Sequence, residues 1–282
     1  MTRGGSWPAP AKLNLMLRIV GRRDDGYHLL QTVFQFIDLQ DRLTFEARSD
    51  GHVERVSPVL GVPADDDLTV RAARLLQQVC GVEKGVSIRI EKRIPMGGGL
   101  GGGSSDAATT LVALNRLWGC GLDEAELMRL GLQLGADVPV FVHGRAAWAE
   151  GVGEQLSDIA PSESIYLLLT PPVHVDTAAV FRDPDLQRNS PKITRDEFLS
   201  GVTGNDCLAV VRTRYPLVAQ CFDWLTERAG ARLTGTGAGL FAECADRKEA
   251  ERLLRELPPG VPGFVVQGMN RSPLLDAVAR SA

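Results

Sequence analysis

The chain has 282 residues, 44% of them apolar and 23% charged, with a formal net charge of −4. That length and balance suit a folded protein of one large or two ordinary domains, able to bury a sizeable core. Acidic and basic residues are mixed, with no basic block or basic–aromatic interleave, which argues against a nucleic-acid polymer as partner and leaves a single nucleotide open.

The N-terminal stretch "MTRGGSWPAP" has neither an apolar signal region nor an Arg/Ser-rich transit pattern, and no apolar window is long enough to span a membrane. The five cysteines are scattered without a C-x-x-C and there are only four histidines. Neither a disulfide framework nor a zinc site is expected. The reading is a cytoplasmic protein whose cysteines are small buried hydrophobes.

In chain order, "AKLNLMLRIVG" alternates: Leu13, Leu15, Leu17 and Ile19 on one face, Lys12, Asn14, Met16 and Arg18 on the other. This predicts a strand with one buried face, ended by the turn "RRDDG". "QTVFQFIDL" and "RLTFEARSDG" read as two further antiparallel strands. "DDDLTVRAARLLQQVCG" reads as a helix with aspartates at its start and Gly81 as its stop. "VSIRIEKRI" alternates again. "SSDAATTLVALNRLW" and "DEAELMRLGLQLG" are successive helices.

The second half opens on a buried strand, "SIYLLLTPP". Helical material follows, including a capping box in "TRDEFL" from Thr194 to Glu197 and the helix "PLVAQCFDWLTERAG" between Pro216 and Gly230. Strands near Leu233 and at "GLFAEC", the helix "DRKEAERLLREL" and the strand "GFVVQGM" complete a β-α-β-β-α-β order. That is the split βαβ, ferredoxin-like arrangement. The fold class is therefore α+β in two domains, 1–153 and 154–282.

Between a β-type run and an alanine-rich run lies "RIPMGGGLGGGSSDAATT", with six glycines. Each costs chain entropy, so a tight turn alone, which needs one or two, explains them poorly. Gly97, Gly99 and Gly102 fit a dinucleotide fingerprint, with Asp123 about twenty residues on. The preceding strand alternates, however, whereas a central parallel strand is apolar throughout, and Asp123 opens a helix. A third reading is a phosphate cradle: glycine amides, Ser104, Ser105 and a helix N-terminus facing an anion. No G-K-[ST] follows, so the cation must come from elsewhere.

"PMGGGLGGGSSDAA" resembles the central motif of the GHMP kinases, which wrap ATP phosphates without a Walker lysine. "PAKLNLMLRIVGRRDDGYHLLQTVFQFIDL", "LGADVPVFV", "AEGVGE", "LTGTGAGLFAE" and "NRSPL" extend the resemblance collinearly from about residue 8 to residue 274. It implies a GHMP kinase fold, an N-terminal mixed β/α nucleotide-binding domain followed by the ferredoxin-like one. It also implies ATP as phosphate donor, Mg2+, and a small cytidine-diphospho acceptor, in a monomer or weak homodimer.

By the same resemblance, Pro95, Met96, Gly97, Gly98, Gly99, Leu100, Gly101, Gly102, Gly103, Ser104 and Ser105 hold ATP, with Asp67 near the adenine. Asp137 in "GADVP", by ordinary usage a cap or turn residue, becomes the catalytic aspartate. Lys12, by position alone a solvated edge lysine, becomes its partner. Asn14, two residues along the same face, would bond the polyol part of the acceptor. Tyr27 and His28 would bind the cytosine, with Phe181 on its other face and Thr177 nearby. "TGTGAG", alone a tight β-turn, would bring Thr234, Gly235 and Gly237 against the phosphate loop.

The chain departs from the family pattern in carrying Asp67 where Asn is usual and Asp176-Thr177-Ala178 where P-T-P is usual. Two alternatives stand beside this reading: another GHMP activity of homoserine or mevalonate type, and a nucleotide-binding protein without catalysis. The "GYH" pair and Phe181 argue against the first, Lys12 and Asp137 against the second.

Overall fold

The structure, a computed structural model, describes residues 5–24, 26–59 and 61–280. Residues 1–4 of the N-terminal stretch and Asp25 of the predicted turn lie outside the described residues.

Strand β1 (Trp7–Arg22) pairs antiparallel with β2 (His28–Arg48) along almost its whole length. Two separate strands were expected where β2 runs unbroken for 21 residues. The polar residues of "FIDLQDR" read as a break. They instead occupy a register shift, where Pro10 faces Gln40 and Ala11 faces Ile37, so the extra residues are absorbed without ending the ladder. The expectation of one buried face on β1 also fails, since Lys12, Asn14 and Met16 are as buried as Leu13 and Leu15. The glycine-rich stretch packs on the Lys12 side chain, whose ammonium donates to the Gly99 carbonyl at 3.0 Å.

β3 (Val53–Arg55) lies parallel to β4 (Gly85–Glu91), which is antiparallel to β2. Helix α1 (Leu68–Cys80) starts at Asp67, whose side chain accepts from the Thr69 amide, and stops at left-handed Gly81. Helices α2 (Gly102–Trp118), α3 (Glu124–Leu134) and the short α4 (Val138–His143) follow, then hairpin strands β5 (Ala147–Glu150) and β6 (Gln155–Asp158). The Asp123–Glu126 capping box starts α3. Leu76, Ile88, Leu111, Leu114, Val138 and Phe141 centre the core between these helices and the sheet.

The second half contains β7 (Ile165–Leu169), α5 (Thr177–Arg182), α6 (Arg195–Leu199), α7 (Leu208–Arg214), α8 (Pro216–Ala229), β8 (Arg232–Leu233), β9 (Leu240–Cys244), α9 (Arg247–Arg255), β10 (Gly263–Met269) and α10 (Pro273–Arg280). Its strands lie in the order β10-β7-β9-β8, all antiparallel. This is the expected split βαβ order. Both predicted caps are present: the Thr194–Glu197 box on α6, and Pro216 and Gly230 bounding α8.

The chain then returns. Gly268 and Met269 at the end of β10 pair with Ile37 and Phe36 of β2, joining the two sheets. Helix α10 places Leu274 and Ala277 in the first half's core. The seam between the halves runs past β1, the glycine stretch and the Thr234–Gly239 turn.

Candidate active site

The first reason for the glycines is conformational. Gly97, Gly99 and Gly101 have φ of +74°, +67° and +72°, the left-handed region that side chains disfavour. The second is proximity to the other glycine-rich turn. The Ala238 and Gly239 amides donate to the Gly97 and Gly98 carbonyls, each at 3.1 Å. A Cβ on Gly99 would lie 2.4 Å from the Thr234 carbonyl oxygen, and one on Gly239 2.3 Å from that of Gly98. The two turns are thus docked backbone to backbone across the seam. Strand β4, which leads into the stretch, is antiparallel to β2, so the dinucleotide-fold context is absent.

Helix α2 begins at Gly102, directly after this loop, and points its first-turn amides and positive dipole end at the seam. Facing it is Lys12. Its ammonium donates to Asn14 Oδ1 at 2.5 Å and to the Gly99 carbonyl at 3.0 Å, and lies 3.3 Å from Asp137 Oδ2. The Lys12 side chain is 3% exposed, so this charge is out of water and must be held by these partners. Phe34 covers it, with the ammonium 5.4 Å from the ring centroid.

Asn14 is fixed from two sides. Its amide N–H donates to Thr234 Oγ1 at 2.9 Å, and its side-chain Nδ2 donates to Thr32 Oγ1 at 2.9 Å. Thr234 therefore connects β1 to the second half directly beside the loop.

Asp137 occupies the N-cap position of α4 but makes no capping bond to it. The carboxylate is instead turned toward Lys12 and is 37% exposed. A carboxylate left half in water beside a buried ammonium is placed to accept a proton from a bound hydroxyl.

These groups line one end of a cleft of about 760 Å³, together with Gly99, Gly101, Ser104, Thr32 and Gly235. Its other end is lined by Tyr27, His28, Phe181, Thr177, Arg22 and Arg182. There the His28 and Phe181 rings lie 5.1 Å apart at 32°, and Tyr27 is 65% exposed at the rim. Thr177 Oγ1 bonds Thr236 Oγ1 at 2.8 Å, tying the start of α5 to the second glycine turn. Arg188 donates to His28 Nε2 at 3.2 Å. Burial, then Arg188 and Arg22, push the His28 imidazole below its ordinary value.

Other expected residues lie apart from this cleft. Asp67 caps α1 and pairs with Arg55 at 2.6 Å, so both of its oxygens are engaged. Leu100 is buried in the core, and Met96 is exposed. Ser105 is fully buried, its hydroxyl without a hydrogen-bond partner among the described residues. Thr234 and Gly237 shape the seam from behind rather than lining it.

The sequence reading missed Thr32 and Arg188. It also missed a buried charge cluster under the loop. Lys92 bridges Asp41 and Asp106 of α2, the latter at 2.8 Å. Asp41 also accepts from the Arg93 amide at 2.5 Å and the Ile94 amide at 2.8 Å, which fixes the chain's exit from β4 into the glycine stretch. Burial raises Asp106 to about 8, against the opposing pull of Lys92. Asp41 lies between two predicted strands and Lys92 51 residues later, so no spacing rule links them.

The family models match on both sides of the seam: the GHMP kinases N terminal domain over residues 67–145 and the GHMP kinases C terminal over residues 186–260. The 4-diphosphocytidyl-2-C-methyl-D-erythritol kinase of Shewanella denitrificans is 53% identical over 277 residues, 98% of each chain. The chain belongs to the GHMP kinases.

Within them it groups with the 4-diphosphocytidyl-2-C-methyl-D-erythritol kinases. The Nitrosococcus oceani protein of that name is 54% identical over 275 residues, again 98% of each chain. A solved structure of 4-(cytidine 5'-diphospho)-2C-methyl-D-erythritol kinase superposes with a TM-score of 0.83 at 32% identity, covering 94% of this chain and 99% of that one. A mevalonate kinase structure, TM-score 0.72 at 17% identity, shares the fold. As a GHMP kinase the chain is an ATP-dependent phosphotransferase. No helix of the described residues of this GHMP kinase is long and apolar enough to cross a membrane.

Proposed function

We propose that the chain transfers the γ-phosphoryl group of ATP to the 2-hydroxyl of 4-diphosphocytidyl-2-C-methyl-D-erythritol, a step of non-mevalonate isoprenoid precursor synthesis in the cytoplasm. The observation that carries this reading is the Lys12–Asp137 pair at 3.3 Å, at the end of the cleft that the glycine loop closes. Asp137 takes the hydroxyl proton as the oxygen attacks, and the bond from the β–γ bridging oxygen to phosphorus breaks toward ADP. Lys12 holds the attacking oxygen and the developing phosphoryl charge. The α2 N-terminus and loop amides receive the nucleotide phosphates.

The cytidine occupies the far end, against Tyr27, His28 and Phe181, with Asn14 toward the polyol. The residues present fit Mg2+: this ion keeps most of its ligands from water and phosphates and needs only one or two protein oxygens, one of which the Ser104 hydroxyl at the cleft wall would supply. Among the described residues no cluster of three or more His, Cys, Asp and Glu could hold a metal without the nucleotide. When bound, Mg2+ neutralises charge on the transferring phosphates.

Residues 1–153 act as the nucleotide-binding unit and 154–282 as the unit that closes the acceptor end. The family models falling at 67–145 and 186–260 support this division, with α10 as a return segment.

The test is purified protein with Mg-ATP and, separately, the cytidine-diphospho polyol, homoserine and mevalonate, followed by ADP release and by phosphorus NMR of the product. Turnover confined to the cytidine compound, with a new phosphomonoester resonance, is expected. Turnover of homoserine or mevalonate in its place overturns the reading.

A further inference from the structure

Arg188 carries five N–H donors and no acceptor. Its guanidinium is held from behind by three carbonyls: Phe181 at 3.0 Å, Asp183 at 2.6 Å and Leu186 at 3.1 Å. Its orientation is therefore set by the end of α5 and the loop that follows it, and does not depend on His28. The remaining Nε–H reaches His28 Nε2 at 3.2 Å. A guanidinium can only donate, so Nε2 must present its lone pair, and the neutral ring then carries its proton on Nδ1. Among the described residues Nδ1 has no hydrogen-bond partner, and His28 lines the cleft.

We propose that Arg188 is a positioning residue that locks His28 as a donor at Nδ1, so that the base end of the cleft selects an acceptor edge, cytosine over uracil. This rests on the reading that the cleft takes a cytidine compound. Cytosine offers a lone pair at N3, whereas uracil carries a hydrogen there, so a fixed ring N–H accepts the first base and repels the second. The charged groups facing the ring are Arg188 and Arg22, both positive. Protonating Nε2 would set two N–H groups against each other and break the Arg188 contact. Phe181, in the last turn of α5, gives Arg188 one of its carbonyls and holds its ring 5.1 Å from that of His28, so Arg188 contacts both the hydrogen-bonding and the stacking residue.

The experiment uses the full chain. Long-range proton–nitrogen NMR of the wild type reads the His28 tautomer directly; a proton on Nδ1 is expected, and a proton on Nε2 overturns the proposal whatever any variant does. Kinetics then compare the cytidine- and uridine-diphospho forms of the same polyol. Wild type should prefer cytidine by at least about 100-fold, as sites built to hydrogen-bond their ligand do. Arg188→Met should lower that preference to under about tenfold, through the cytidine KM with kcat less affected, and Arg188→Lys, which still donates, should restore part of it. An Arg188→Met protein that keeps both the preference and the Nδ1 proton overturns the Arg188 role alone. A wild-type chain that turns over neither compound overturns the cytidine reading and base selection with it.

Discussion

Lys12 and Asp137 are 125 positions apart in the chain, yet the ammonium of one lies 3.3 Å from the carboxylate of the other. One sits on a strand buried on both faces, the other at the cap of a six-residue helix that does not use it as a cap. The helix thus forgoes a bond worth about 1 kcal/mol, and the carboxylate stays free to face Lys12.

Asp137→Asn keeps the shape and removes the proposed base. We expect kcat to fall by about 10²- to 10⁴-fold while ATP affinity changes little. Steady-state ADP release and calorimetric ATP titration check this. Turnover within a few-fold of wild type would assign catalysis to positioning by Lys12 and the loop.

Tyr27→Ala removes an exposed ring from the rim of the acceptor end. Stacking on a base contributes about 1–3 kcal/mol, so KM for the cytidine compound should rise by about 5- to 150-fold. The ATP KM should stay near wild type, and a parallel rise in both constants would sink the base assignment.

The glycine loop can be tested with a matched pair. Gly99 and Gly119 have nearly the same φ, +67° and +70°, but a Cβ at Gly119 meets nothing within 4 Å, whereas one at Gly99 meets the Thr234 carbonyl oxygen at 2.4 Å. Gly119→Ala should cost only the left-handed backbone penalty, about 1–2 kcal/mol, with activity retained. Gly99→Ala should cost more in chemical denaturation and also lower kcat/KM for ATP by tenfold or more. Equal losses from both would mean that the docking of the two turns is not tight in solution.

Asp106 provides a pH test. Burial holds its folded-state value near 8, far above the carboxylate range of the unfolded chain. A raised value means that the folded state binds the proton more tightly. The stability this contributes is full below about pH 4 and is lost as pH rises through 8. Asp106→Asn carries no titrating proton there. Urea denaturation at pH 5 and pH 8 should show the variant gaining on wild type at the higher pH, and a pH-independent difference would contradict it.

The local devices were legible because they depend on neighbours in the chain. The Thr194–Glu197 capping box, Gly81 as a helix stop and the β-α-β-β-α-β order of the second half all stand as read. The break expected at Gln40–Asp41 was not there, because a register shift absorbed the polar residues and Asp41 spent its carboxylate on the amides of Arg93 and Ile94. Likewise the polar face of β1 looked solvated because alternation cannot reveal what packs on it.

By itself the sequence determined a glycine-rich loop at a helix start, the α+β order of elements and, through its motifs, the family. Only the tertiary structure decided that half of the loop's glycines serve left-handed turns and that Gly99 admits the Thr234 carbonyl. It alone brought Thr234 to Asn14 and Arg188 to His28. Those contacts join residues 160 and 220 positions apart. Chain periodicity carries no information at such separations, since the pairing exists only once the two sheets have joined across the seam.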